Sequence, residues 1–114
     1  MQNPEAVTAL AALAHPHRLS VFRLLVERGP AGYAAGELAE RIGIPSSSLA
    51  FHTQHLRQAG LLSRRRFGRR LIYAADFAAM NDLLGGLTDN CCAESVVDCA
   101  GADRFLHFRF EALY

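Results

Sequence analysis

The chain has 114 residues, 51% of them apolar, with 9 Gly, 4 Pro and a net charge of +1, which fits one small globular domain with a core of its own. It has no apolar run long enough to span a membrane and no basic-then-apolar leader, so a membrane protein or a secreted, disulfide-built scaffold is not expected and the reducing cytoplasm is. The small net charge hides an asymmetry: residues 1–75 hold ten Arg against four Asp/Glu (+6), and residues 76–114 hold two Arg against seven Asp/Glu (−5). A basic body with an acidic tail points to nucleic acid on one side and different work on the other. All twelve basic residues are Arg, whose planar fork suits phosphate.

In chain order, Asn3-Pro4-Glu5 reads as N-cap, first-turn proline and first-turn acid of a helix carrying Val7, Leu10, Leu13 and Ala14. It stops before His15-Pro16, and Pro16 opens a second helix with Leu19, Phe22, Leu25 and Val26 inward, closed by Arg28-Gly29-Pro30. Residues 31–35 read as a small-residue connector. A short helix is expected from about Gly36 to Arg41, with Leu38, Ala39 and Ile42 inward. Gly43-Ile44-Pro45 makes a tight turn. A further helix from Ser46 buries Leu49, Thr53 and Leu56 with His52 flanking, and ends at Ala59-Gly60. Helix, glycine-containing turn and helix form a helix-turn-helix pattern. Two extended segments around Gly68, rich in Arg64, Arg65, Arg66, Arg69 and Arg70, predict a β-hairpin. Asp76 caps a last helix with Phe77, Met80, Leu84 and Leu87 on one stripe; Gly85-Gly86 weaken it, so it should fray near Asp89-Asn90. The expected fold is therefore mainly α with a small hairpin: four helices, two strands and a fifth helix in winged-helix order. Residues 1–90 form the DNA-binding and dimerisation part, and residues 91–114 a cysteine-containing tail of the same domain, where Phe105, Phe108 and Phe110 suggest some packing.

Helical rotation of residues 46–58 puts Ser47, Ser48, Phe51, Gln54, His55 and Gln58 opposite the buried stripe, with Ser46 at the helix start. Hydroxyls near a helix N-terminus suit phosphate, Gln54 can read adenine, and Phe51 can touch a thymine methyl. Arg65, Arg66, Arg69 and Arg70 complete the expected DNA contacts, although strand alternation lets only some of them face DNA together. His15 and His17 at a helix start and His52 near the buried face read as structural histidines rather than metal ligands; His107 has no legible role.

The three cysteines are Cys91, Cys92 and, after six residues, Cys99. Adjacent cysteines suit an ordinary disulfide poorly. Three thiols without a nearby His suit a soft ion with three-sulfur coordination better than tetrahedral zinc. Buried cysteine is the plain alternative. A redox switch would want basic neighbours for its thiols, whereas these are Asp89, Glu94 and Asp98. An enzyme such as a small thiol-dependent arsenate reductase would need a cysteine in a basic, phosphate-cradling loop, and the acidic tail offers none, so no catalytic residue is expected.

His15-Pro16-His17-Arg18-Leu19, Gly36-Glu37-Leu38-Ala39, Ser47-Ser48-Leu49-Ala50-Phe51-His52, Ala59-Gly60-Leu61-Leu62 and Arg69-Arg70-Leu71-Ile72-Tyr73 resemble the arsenic-repressor (ArsR/SmtB) family of dimeric winged-helix repressors, over roughly residues 4–92. The resemblance implies a homodimer on double-stranded operator DNA, paired through the first and last helices, with Val7, Leu10, Phe77, Met80, Leu84 and Leu87 available for the interface. The family's arsenic and cadmium sensors carry Cys-x-Cys in the short third helix, where this chain has Glu37-Leu38-Ala39-Glu40-Arg41. Its zinc sensors use histidines on the last helix, and none occurs between Asp76 and Asn90. Leu87-Thr88-Asp89-Asn90-Cys91-Cys92 is instead similar to a subgroup whose adjacent cysteines, with a third downstream, bind trivalent arsenic. That resemblance implies As(III), with Sb(III) as a second candidate, as inducer at Cys91, Cys92 and Cys99, and no constitutive cofactor. A methylarsenite sensor using two thiols, or a redox sensor, is the alternative.

Overall fold

A computed structural model of the chain describes residues 1–95. Pro and Gly set most element boundaries. Helix α1 runs Asn3–Leu13 and α2 Pro16–Arg28; β1 is Tyr33–Ala34; α3 is Ala35–Ile42 and α4 Ser46–Gln58; β2 (Leu62–Phe67) and β3 (Arg70–Ala75) form the hairpin; α5 is Phe77–Thr88. The expected winged-helix order is present. The connector before α3 adds a third strand, giving an antiparallel sheet in the order β1-β3-β2. Tyr33 pairs with Tyr73 and Ala34 with Ile72; two residues are too few to show the alternation that marks a strand. Gly32, at φ +68°, makes this pairing accessible, because a Cβ there would run into the Tyr73 carbonyl oxygen.

Three local readings change. Asn3 is the first residue of α1, not its cap; Gln2 is the cap, without a side-chain hydrogen bond. Leu19 faces outward, because the inward side of α2 is the set Val21, Phe22 and Leu25. His52 is inside the core layer rather than beside it, at 7% exposure. Other boundaries follow expectation: His15 caps α2, its Nδ1 accepting the His17 N–H at 3.1 Å, and the Asp76 carboxylate accepts the Ala79 N–H at 3.0 Å to start α5. Gly60, at φ +79°, follows the end of α4.

The core is built on α2, α3, α4 and the sheet, with Val21, Leu25, Leu38, Leu49, Thr53, Leu56 and Leu61 fully enclosed. Thr53 satisfies its hydroxyl by donating to the Leu49 carbonyl at 2.9 Å. The outer helices contribute little: α1 buries Ala9 and Ala12, and α5 buries Leu83. Val7 (65% exposed), Leu10, Leu84 and Leu87 (56%) remain on the surface. Phe77 and Met80, expected on the same outward stripe, pack partly against the chain's own core. Among the described residues no helix is long and apolar enough to cross a membrane.

Candidate nucleic-acid interface and thiol cluster

The turn Gly43-Ile44-Pro45 sets α3 against α4. The Gly43 and Ile44 N–H groups both donate to the Ala39 carbonyl, and Gly43 takes the left-handed conformation at φ +81°. With Leu49, Thr53 and Leu56 facing inward, α4 presents Ser46, Ser47, Phe51, Gln54, His55 and Gln58 to solvent. Ser48 is half-buried, so it belongs to the edge of that face. Phe51 is 57% exposed but not unsupported: its ring stands edge-on to His55 at 4.6 Å and to His52 at 5.5 Å. The stack gives a flexible helix surface a rigid apolar point, useful against a base edge.

In the wing, β2 and β3 pair Arg64 with Tyr73, Arg65 with Ile72, Arg66 with Leu71 and Phe67 with Arg70. Paired residues share a sheet face and neighbours alternate, so Arg65 and Arg70 lie on one face and Arg64 and Arg66 on the other. Arg65 is moreover committed: its guanidinium donates to the Ala31 carbonyl at 3.1 Å and the Pro30 carbonyl at 3.4 Å. It holds the wing to the loop before β1, which sets it apart from Arg66, Arg69 and Arg70, the other three arginines expected to contact DNA. Arg66, Arg69 and Arg70 are exposed. Sequence reasoning passed over Phe67, which is 74% exposed next to the Gly68-Arg69 tip; an apolar side chain at a wing tip can reach into a minor groove. Also unforeseen is the approach of both Arg28 (4.7 Å) and Arg41 (4.9 Å) to the Tyr33 ring, which fixes two cations beside the helix-turn-helix.

Beyond α5 the chain turns tightly. The Cys91 N–H donates to Thr88 O, Ala93 N–H to Asn90 O and Ser95 N–H to Cys92 O. Asn90 (φ +58°) and Cys92 (φ +60°) both take the left-handed conformation, which L-residues adopt at some cost. The turn sets the two exposed sulfurs 3.6 Å apart, too far for a disulfide. With a metal–thiolate bond of about 2.3 Å, that separation subtends about 103° at a shared centre, an angle that pyramidal and tetrahedral centres both accept. Cys99, the third expected ligand, and His107 lie outside the described residues.

His15, His17 and His52 come together where α2 starts beside α4, with ring centroids 4.5 to 5.6 Å apart. Burial is the main force lowering the His52 pKa below the ordinary imidazole value, helped by His15, Arg18, His17 and His55. The His15 pKa is lowered first by burial, then by Arg18 and His17. Among the described residues the buried Nδ1 of His52 has no hydrogen-bond partner, so the expected role of a satisfied structural histidine does not describe it there. The signal was half present: His52 falls within the helical spacing of the buried stripe, but its neighbours His17 and His15 are 35 and 37 residues upstream.

A helix-turn-helix with a polar outward face on its second helix, flanked by an arginine hairpin, defines a winged-helix DNA-binding protein. A helix-turn-helix domain model matches residues 13–65. The transcriptional regulator YgaV of Escherichia coli is 31% identical over 77% of this chain and 87% of its own length. The transcriptional repressor BigR of Xylella fastidiosa superposes with a TM-score of 0.61 at 30% identity, over 78% of this chain and 88% of its own. An ArsR-like regulator from Rhodococcus gives a TM-score of 0.67 at 26% identity, over 96% and 92%. The chain belongs to the helix-turn-helix transcriptional regulators, DNA-binding proteins and not enzymes, and its fold is similar to that of an ArsR-like regulator.

Proposed function

We propose that the protein is an arsenite-responsive repressor: a homodimer that holds operator DNA and releases it when trivalent arsenic binds Cys91, Cys92 and Cys99. The observation that carries this reading is the exposed pair of sulfurs 3.6 Å apart at the end of α5. Arsenite exchanges three hydroxyls for three thiolates with loss of three waters, and no oxidant or reductant is consumed. Soft sulfur donors favour such a centre over hard cations. The uncovered Val7, Leu10, Leu84 and Leu87 on α1 and α5 supply an apolar face for a second copy, so the thiols sit at the edge of the proposed dimer interface. Arsenic bound there ties the end of α5 to the tail and draws the two α4 helices away from their half-site spacing. Moving such an equilibrium from 1:99 to 99:1 takes about 5.5 kcal/mol of preference for the released state. Antimony(III) has the same thiol chemistry, and the reducing cytoplasm keeps the thiols available.

A two-thiol reading has its own support, because Cys91 and Cys92 alone match a methylarsenite, which exchanges only two hydroxyls. Operator binding measured with arsenite, methylarsenite, zinc and peroxide, on wild type and on each Cys→Ser variant, separates the readings. Arsenite should release the wild type but not Cys91→Ser, Cys92→Ser or Cys99→Ser at the same concentration. Full release of Cys99→Ser by arsenite would remove the three-thiol site, and release by peroxide alone would favour the redox sensor.

A further inference from the structure

The His15–His17–His52 cluster has no part in the thiol chemistry. One ligating nitrogen from each ring lies within 4.8 Å of the other two, and the rings are mutually tilted by 40° to 74°, so they converge rather than stack. His52 is 7% exposed and its buried Nδ1 has no partner among the described residues, whereas buried polar atoms in native folds are nearly always satisfied. His17, by contrast, is exposed and gives a path from solvent. A tetrahedral ion with metal–nitrogen bonds of about 2.05 Å holds its ligands about 3.3 Å apart, so closure from the observed spacing needs shifts of about an ångström, within reach of side-chain rotation.

We propose that His15, His17 and His52 form a binding site for a divalent transition-metal ion of the zinc, cobalt, nickel or copper class. Imidazole nitrogens select these ions over Mg²⁺ and Ca²⁺, which take oxygen ligands. No carboxylate belongs to the cluster, and Arg18, held by its Nε on the Ala12 carbonyl at 2.6 Å, adds a positive charge nearby, so the site binds a cation less tightly than a closed structural zinc site. Three protein ligands leave a fourth position for water.

Ligation has a structural cost that couples it to the fold. The His15 Nδ1 accepts the His17 N–H as the cap of α2. If Nδ1 takes the ion, its lone pair is gone; if Nε2 does, Nδ1 carries the proton and can no longer accept. Either way the cap bond is given up while the ion staples the start of α2 to α4. Because His52 shares α4 with Phe51 and His55, the ion biases the DNA-reading helix through residues other than the thiols.

The test uses the full chain with Cys91→Ser, Cys92→Ser and Cys99→Ser combined, so that only nitrogen and oxygen ligands remain and the outcome does not depend on the arsenic reading. Titration with Co²⁺ should give one ion per chain, with the visible bands of a four-coordinate site, no sulfur-to-cobalt charge transfer, and displacement by Zn²⁺. His17→Ala, at an exposed position whose loss leaves the core intact, should weaken Co²⁺ binding at least roughly tenfold, as should His15→Ala. Operator affinity should respond to Zn²⁺ in the thiol-free parent and not in His17→Ala. Failure of the thiol-free chain to bind Co²⁺, or equal binding by His17→Ala with an unchanged circular dichroism spectrum, would overturn the site.

Discussion

Replacing Arg69 by alanine removes a guanidinium from the turn at the wing tip, where it is exposed and makes no hydrogen bond or ion pair among the described residues. If that charge lies on a phosphate, each lost contact lowers the slope of log affinity against log salt by about 0.9 for B-DNA. A homodimer presents two wings, so the slope should fall by about 1.8. Over a fourfold rise from roughly 50 to 200 mM salt, the variant should then lose about twelvefold less affinity than the wild type, while binding more weakly at the low-salt end. Fluorescence anisotropy of a labelled operator duplex across that range measures both quantities. Arg66→Ala, on the other face of the hairpin, is the companion measurement. Arg65→Ala should behave differently, changing the slope less but lowering the unfolding free energy by about 1 kcal/mol, because it loses the carbonyls of Pro30 and Ala31. Unchanged salt slopes in both Arg66→Ala and Arg69→Ala would refute the assignment of the wing to DNA.

Gly32→Ala should destabilise the fold by about 3 kcal/mol, since it combines a positive φ with a clash against the Tyr73 carbonyl; an unchanged urea midpoint would show that β1 can withdraw without penalty. Asp76→Ala should cost about 1 kcal/mol through the lost α5 cap, with Asp76→Asn retaining most of it, as read by chemical denaturation. In metal-free protein, stability should be complete above the ordinary imidazole pKa of 6.5 and be lost as pH falls below it, because the folded chain holds His15 and His52 below that value while the unfolded chain takes up protons first. Denaturation at about pH 7.5 and 5.5 should therefore show a drop that shrinks in His52→Gln, and equal drops in both chains would count against it.

The helices were legible because their ends are written in single residues: Pro16, Gly29, Gly43, Gly60 and Asp76 each act locally. The hairpin was legible for the same reason at Gly68. What local chemistry could not disclose was which partner an element meets. β1 exists only because β3 is beside it. Leu19 has helical spacing suited to the core yet turns outward, since the neighbours of α2 engage the adjacent set. Arg65 looks like its arginine neighbours until the distant carbonyls of residues 30 and 31 appear. The cysteine pair was evident as chemistry, but its turn was only half legible: Asn90 is a residue type that favours the left-handed region, whereas nothing about Cys92 announces a second positive φ.

Gly85 and Gly86 continue α5 as helix, and among the described residues space does not explain them: a Cβ would meet nothing at Gly85 and only the Met1 carbonyl, at 3.8 Å, at Gly86. Each costs the helix about 1 kcal/mol relative to alanine, so the final turn, the one that leads into Cys91, is weaker than alanine at these positions would make it. On the proposed arsenic reading, a ligand gripping the thiols would have little helix to unravel before its pull reached Leu84, and the two glycines would set the threshold of response. Alanine at both positions should give a chain that keeps its operator until the inducer concentration is raised, turning helix propensity into a dial for sensitivity.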